Sequence, residues 1–476
     1  MDRGTRPVHP LTVVVLALVL ASCSVKAPPP VPPAIGTDLP SEWTTEPEVA
    51  LVHDTAWWER VGGEPLAAVI REAVENNNDL QAAAGRIEVA IAEARVAGAD
   101  LRPQISGRAN GTRSRQNLTG FPEFPGLGGG DGGPLTFYTN NFGLSLNVSW
   151  EPDIWGRIRA QAGGALAQLQ AQQAEYAAAR LSLAGQAAKS WFALTEAGLQ
   201  VELAEATVTS FEETARQATD RVEAGVQNPT DAHLATANLA QAEALLEQKR
   251  NTYQTVSRQL EILLGRYPRG EMPGASELPA LPEAAPAGLP AELIARRPDL
   301  QAAERTYAAA TLQTSAARKA LYPALSLTGS GGTTSSGLGN LLDGDFLVWS
   351  LAGGLMQPIF QGGRLRAQVR GAEGRQVVAA EQFASEALNA FAEVETALAA
   401  EAYLRRRVTA LETATEASRE AVRIAENRYG QGVDPLLVVL EAQRRALDSQ
   451  SALINARRQL LENRVDLHLA LGGEIP

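Results

Sequence analysis

The sequence predicts a mainly α-helical, internally duplicated chain with a β portion, each copy running helix, strand, strand, long helices. Three observations carry that prediction: blocks that recur in order, segments alternating with period two, and long stretches with seven-residue spacing. Asp79-Leu80-Gln81-Ala82-Ala83 recurs 220 positions later as Asp299-Leu300-Gln301-Ala302-Ala303. Leu101-Arg102-Pro103-Gln104-Ile105-Ser106 recurs at the same offset as Leu321-Tyr322-Pro323-Ala324-Leu325-Ser326. Gly156-Arg157-Ile158-Arg159-Ala160-Gln161 returns 207 positions later as Gly363-Arg364-Leu365-Arg366-Ala367-Gln368. That second offset also relates Arg221 and Gly225 to Arg428 and Gly432, and Leu264-Gly265 to Leu471-Gly472. The change of offset places a longer insert in the first copy between Ser106 and Gly156. Gly120 to Pro134, rich in Gly and Pro, reads as its surface loop.

The strands come next. Phe142, Leu144, Leu146, Val148 and Trp150 interleave with Gly143, Ser145, Asn147 and Ser149. Leu321, Pro323, Leu325 and Leu327 interleave with Tyr322, Ala324, Ser326 and Thr328, less cleanly. Ile105 to Arg115 and Phe346 to Leu355 are the weaker partners, giving two strands per copy. Membrane barrels show this apolar-out, polar-in pattern with aromatics near the strand ends, although a half-buried strand of a soluble sheet alternates in the same way. Four strands are too few to close a barrel, and an open edge in lipid costs several kcal/mol per unpaired group. If these strands enter a membrane, the protein is an oligomer.

The helices are long. Val377, Ala380, Ala384, Ala387, Phe391, Val394 and Leu398 step by three and four, the seam of a coiled coil. Val439, Ala446, Leu453, Leu460 and Leu467 stand seven apart, and Leu239, Leu246, Tyr253 and Leu260 hold the same places in the first copy. The stretches Gly156 to Gly225 and Gly363 to Gly432 would each reach roughly 100 Å at about 1.5 Å per residue, unless broken near Gly198 or Tyr403 to Arg407. That length suits crossing a periplasm better than filling a globule. A soluble coiled-coil spacer would explain the helices and leave the strands unexplained.

The N-terminus reads as a bacterial export and lipidation signal. A basic start (Arg3, Arg6) precedes an apolar run from Leu11 to Leu20, too short for a membrane span. Leu20-Ala21-Ser22-Cys23 looks like a lipobox, and Cys23 is the one Cys in 476 residues. Its thiol would take a diacylglycerol and its new amino group an acyl chain, because one chain anchors only marginally. Ser24, in place of an inner-membrane-retaining Asp, directs the protein to the outer membrane. The boundaries that follow are a signal peptide 1–22, a lipidated tether 23–64, a first repeat 65–270, a linker 271–290 and a second repeat 291–476.

Composition excludes several functions. With its only thiol acylated, the mature chain has no Cys for disulfides or metal, and the four His residues show no ligand spacing. No nucleophile elbow, phosphate loop or zinc-helix motif occurs, so no catalytic residue, metal or cofactor is expected beyond the lipid on Cys23. The net charge of −12 and the lack of a basic run argue against nucleic acid.

Several blocks together resemble the TolC-like outer-membrane factor family, in particular its NodT-type lipoproteins of resistance-nodulation-division efflux systems. Trp57-Trp58, Leu66, Asn78-Asp79-Leu80 and Ala82 are similar to the family's opening segment. Trp150-Glu151-Pro152-Asp153-Ile154-Trp155-Gly156-Arg157 and Gln357-Pro358-Ile359-Phe360-Gln361-Gly362-Gly363-Arg364 look like its two strand-to-helix junctions. Arg428-Tyr429, Gly432, Leu440-Glu441-Ala442-Gln443-Arg444 and Leu469-Ala470-Leu471-Gly472-Gly473 resemble its closing blocks.

The resemblance implies a homotrimer whose four strands per subunit form one twelve-stranded outer-membrane barrel, continued by a periplasmic α-helical coiled-coil barrel. It implies a passive efflux conduit for small molecules (drugs, toxic compounds or metal ions), partnered by a periplasmic adaptor and an inner-membrane pump. Glu441 is then the candidate for a charged ring at the periplasmic aperture. Arg428 and Tyr429 resemble residues whose polar links hold that entrance shut. Residues also carry roles by their own chemistry. Pro103, Pro152, Pro323 and Pro358 suit strand–helix junctions, because proline cannot donate to a ladder. Gly156, Gly362 and Gly363 suit the turn into the long helices. Gly225-Val226-Gln227-Asn228-Pro229 and Gly432-Val433-Asp434-Pro435 read as helix stop, cap and restart, tips that an adaptor could grip. Rival readings are the same fold in type I protein secretion and a lipid-anchored structural coiled coil.

Overall fold

The computed structural model describes residues 25–36, 43, 57–118, 135–280, 293–294 and 296–473. The expected signal, Cys23, the Gly120 to Pro134 insert and linker residues 281–290 lie outside the described residues. In chain order the elements are α1 (Trp57–Asn76), α2 (Asn78–Ala99), β1 (Gln104–Leu118), β2 (Leu135–Trp150), α3 (Arg157–Glu223) and α4 (Pro229–Leu263). The second copy follows with α5 (Pro298–Lys319), β3 (Ala324–Ser335), β4 (Leu347–Met356), α6 (Arg364–Gly430) and α7 (Leu436–Ala470). The duplicated order predicted from the sequence is the order observed.

Two units make up the chain. The first draws on the described parts of Met1–Pro32, Val89–Gln170 and Arg305–Ala380. It contains one antiparallel sheet in the order β1-β2-β3-β4. Its register runs from Gln104 opposite Ser149 to Leu118 opposite Leu135, from Trp150 opposite Leu327 to Phe142 opposite Ser335, and from Ala324 opposite Met356 to Thr333 opposite Leu347. Directly opposed residues share a face. One face therefore carries Ile105, Leu144, Leu146, Val148, Leu325, Leu327, Trp349, Leu351 and Leu355. The other carries Ser106, Arg108, Asn147, Ser149, Ser326, Thr328, Ser330 and Ser350. The apolar face is largely exposed in the single chain, and among the described residues β1 and β4 have no strand beyond them.

β1 and β3 run on to Leu118 and Ser335, past the expected ends at Arg115 and Thr328, and two strand starts differ from the expected ones. β2 begins at Leu135 rather than Phe142, because Asn140 and Asn141 interrupt the apolar alternation while the ladder continues. β3 begins at Ala324; Leu321 and Tyr322 belong to a turn, their amides donating to Arg318 O and Lys319 O. Their apolar side chains mimicked strand alternation by accident.

The second unit draws on Pro33–Glu88, Ala171–Glu304 and Glu381–Pro476. Trp58, Leu66, Ile70, Phe192, Leu194, Leu260 and Val465 form one core cluster. Leu300, Ala387, Ala390, Val394 and Leu467 form another. Alanine at so many contact positions lets helices approach closely. The expected α6 seam is buried from Ala384 to Leu398 except for partly buried Phe391, but Val377 is 60 % exposed. Arg464, fully buried on α7, pairs with the Glu401 carboxylate, and breaking such a pair would leave an uncompensated charge.

Helices α3 and α6 each run 67 residues without interruption, so neither suspected break exists. At Gly198 a Cβ would meet the Tyr253 ring at 3.5 Å, an ordinary packing distance, and the helix passes through the glycine unbroken. The Tyr403 to Arg407 stretch is an exposed charged face, with Arg405 on Glu401 and Arg406 over the Tyr403 ring. No helix among the described residues is long and apolar enough to cross a membrane.

Candidate functional site

The functional residues fall into two groups, strand–helix junctions in the first unit and helix-hairpin tips in the second. Pro103 and Pro323 stand between a helix and the strand that follows it, whereas Pro152 and Pro358 stand between a strand and the next helix. The order of hand-over is thus reversed for the first pair. Gly156, Gly362 and Gly363 take positive φ of 76°, 58° and 83° at the turns into α3 and α6. Asp153 accepts from the amides of Ile158 at 3.0 Å and Arg159 at 2.8 Å, satisfying donors left open at the start of α3. Two indoles pin the junction: Trp150 Nε1 donates to Leu101 O at 3.1 Å, and Trp155 Nε1 to Pro323 O at 2.8 Å.

At the tips the two copies share a backbone. Gly225 (φ 73°) and Gly432 (φ 72°) end α3 and α6 in the left-handed conformation that only glycine adopts without strain. The amides of Val226 and Val433 donate to Arg221 O and Arg428 O, 3.0 and 2.9 Å away. Those of Gly225 and Gly432 donate to Val222 O and Tyr429 O, completing the same helix stop twice. Val226 and Val433 stand out from the tips, 74 % and 57 % exposed.

The restarts differ. Asn228 caps α4 by accepting from Thr230 N at 3.0 Å, with Pro229 as the first helical residue, as expected. In the second copy Pro435 is itself the cap residue and makes no side-chain cap hydrogen bond, and the helix starts at Leu436. Asp434, expected as the cap, is taken by the Arg428 guanidinium, whose Nε and Nη2 donate to it at 2.7 and 3.0 Å. The hydrogen bond from Arg428 holds the Asp434 carboxyl below its ordinary pKa.

Tyr429 lies between the tips. It is 2 % exposed, in a cluster with Phe211, Ala218, Ala235, Leu436 and Val439. Its hydroxyl donates to Gln227 Oε1 of the first tip at 3.0 Å, and burial pushes the phenol above its ordinary pKa. The Arg221 guanidinium sits 4.5 Å from the Tyr429 ring centre and donates to Gly430 O at 2.7 Å. Each tip is therefore tied to the other through one buried phenol. Arg221 and Gln227 were missed as linking residues, although the offset of 207 already matched Arg221 to Arg428.

Glu441 makes no hydrogen bond or ion pair with Arg428 or Tyr429. It accepts from Arg445 Nε and Arg444 Nη2, both at 2.8 Å, and these bonds hold its carboxyl below its ordinary pKa. Asp448 also acts on Arg444, so two carboxylates face two guanidiniums along this stretch of α7.

The geometry has counterparts among known proteins. Residues 69–266 and 289–473 match the outer membrane efflux protein family. The chain is 33 % identical over 412 residues to the solvent efflux pump outer membrane protein SrpC of Pseudomonas putida, covering 86 % of this chain and 85 % of that one. It is 32 % identical over 474 residues to the outer membrane protein OprJ of Pseudomonas aeruginosa, covering 98 % and 96 %. Its fold superposes on the CmeC outer membrane channel of Campylobacter jejuni with a TM-score of 0.84 and 25 % identity, covering 95 % of each. With the duplicated order, the two-faced sheet and the paired tips in place, these matches show that the chain belongs to the outer membrane efflux protein family.

Proposed function

We propose that three copies of this chain assemble into a passive outer-membrane conduit, four strands from each closing a twelve-stranded barrel that the helices continue into the periplasm. The observation that carries this reading is a two-faced sheet whose end strands, β1 and β4, each leave one edge without a strand partner among the described residues. Open edges are not tolerated in lipid, and closure with copies of the same chain pairs β4 of one with β1 of the next. An even-numbered barrel with an apolar outside and a polar lumen results.

The paired tips, with Val226 and Val433 exposed on them, suit docking by a periplasmic adaptor, and an inner-membrane pump supplies the driving force. Cargo is small molecules, in line with the solvent named for SrpC. No residue is assigned to chemistry; the chain guides and does not react. Lipid on Cys23 adds a second hold on the membrane. Val25, two residues on, packs with Leu101, Ile158 and Ala162 beside the strand–helix junctions, so the tether starts where the barrel meets the periplasm.

Single-channel current across a planar bilayer tests the conduit. Discrete conductance steps are expected, and correctly assembled protein that passes no current would overturn the reading. Glu441 is assigned to the aperture, where Arg444 and Arg445 offset its charge. Glu441→Ala removes the carboxylate that both guanidiniums bond and should weaken cation preference; unchanged selectivity would remove Glu441 from the pore wall.

A further inference from the structure

The apolar face of the sheet does not stay apolar to its far end. Along β2 that face reads Trp150, Val148, Leu146, Leu144 and Phe142 from the helix-attached end, then Asn140 and Tyr138. On β1 the residues opposite these last two are Arg113 and Arg115. Both guanidiniums gather at one ring, their central carbons 5.6 and 5.8 Å from the Tyr138 ring centre. Tyr138 is 61 % exposed and both arginines are exposed. Neither arginine has a carboxylate partner among the described residues, unlike Arg216, Arg250, Arg423, Arg428 and Arg444 on the helices. Arg108, on the same strand, belongs to the opposite, polar face.

Depth explains the change. From Trp150 to Tyr138 the strand runs about 40 Å at about 3.3 Å per residue. At a tilt near 40° that is about 30 Å of depth, beyond an apolar band about 25 Å tall. Tyr138 and the arginines therefore reach the headgroup level of the leaflet opposite the helices, the outer one. Two like charges on one face, two residues apart, repel unless an anion lies between them. Guanidinium forks match phosphate oxygens in pairs, and tyrosine suits the membrane–water boundary.

We propose that Arg113, Arg115 and Tyr138 form a binding site for the phosphorylated headgroup of an outer-leaflet glycolipid. The site rests on the proposed barrel, because it needs the apolar face to meet lipid. It fixes the depth and rotation of the barrel in the membrane without touching the lumen.

The test uses the full-length protein in mild detergent, with assembly verified by its mass, and measures binding of diphosphoryl lipid A and of the same lipid stripped of phosphate. Assembled wild type should bind the phosphorylated probe about tenfold more tightly than the stripped one, and Arg113→Gln with Arg115→Gln should lose that advantage. Arg108→Gln should keep it. Equal binding of both probes by wild type would overturn the site even if the double variant fails to fold, as would equal losses in the Arg108→Gln and double variants. Failure of wild type to assemble would strike the barrel instead.

Discussion

The two hairpin tips descend from one repeated unit, and their differences show what duplication kept and what it released. The backbone is kept: Gly225 and Gly432 share a φ within a degree, and the flanking amides close the same two bonds. The side chains diverge. Arg221 reaches across to Tyr429 and Gly430, while its counterpart Arg428 bonds Asp434 in its own turn. Asn228 caps a helix, while the matching Pro435 has no side chain to do so. Backbone geometry is set by a local requirement that each tip meets alone. Side-chain roles are set by the neighbour, which is different for each copy.

The comparison breaks most visibly at Tyr429, which has no aromatic counterpart among the first tip's residues, Val222 standing at the matching place. Tyr429→Ala should destabilise the paired tips by about 3 kcal/mol, the scale of an emptied aromatic site, and hydrogen exchange should accelerate in both turns. Acceleration confined to the second turn would deny the link. Next come the glycines. An added Cβ at Gly225 or Gly432 meets nothing within 4 Å, so only backbone strain opposes it. Gly225→Ala and Gly432→Ala should each cost about 1–2 kcal/mol in local opening, and the two values should agree. Unequal costs would mean that the turns are not geometric equals.

The arginines sharpen the contrast further. Arg221→Ala removes a ring contact and a bond to Gly430 O and should cost about 1–2 kcal/mol, read as faster exchange at Gly432 and Val433 amides. Arg428→Ala, which frees an exposed pair, should cost less. The reverse order would overturn the division of labour. The smallest effect is acid loosening of the second turn. The Asp434 carboxyl has its pKa lowered by folding, so its contribution is complete above the ordinary value near about 4 and fades as pH falls below it. Proteolytic nicking at Val433 should rise below about pH 4, before any change in the wild-type core; a loss on raising pH would contradict the assignment.

Much of this was legible in the sequence because it depends on periodicity. The alternation from Phe142 to Trp150 revealed that part of β2, and Asn140 and Asn141 broke the pattern before its start at Leu135. Glycines at the helix ends announced the tips, since only backbone geometry is at stake there. Gly198 misled because a single glycine weakens a long helix without ending it. Asp434 misled because a capping carboxylate and an ion-pair carboxylate look alike until Arg428 is placed beside it. The Tyr429 link was hidden because it joins residues 202 and more positions apart, which no local pattern records.

Everything said of the conduit depends on the open edges of β1 and β4 being closed by other copies of the chain. The mass of the purified mature protein in mild detergent, from light scattering corrected for bound micelle, tests that directly. A complex of three chains is the expected result. A stable monomer would leave four strands with both edges open, and the shared barrel, the aperture and the lipid-facing site would fall with it.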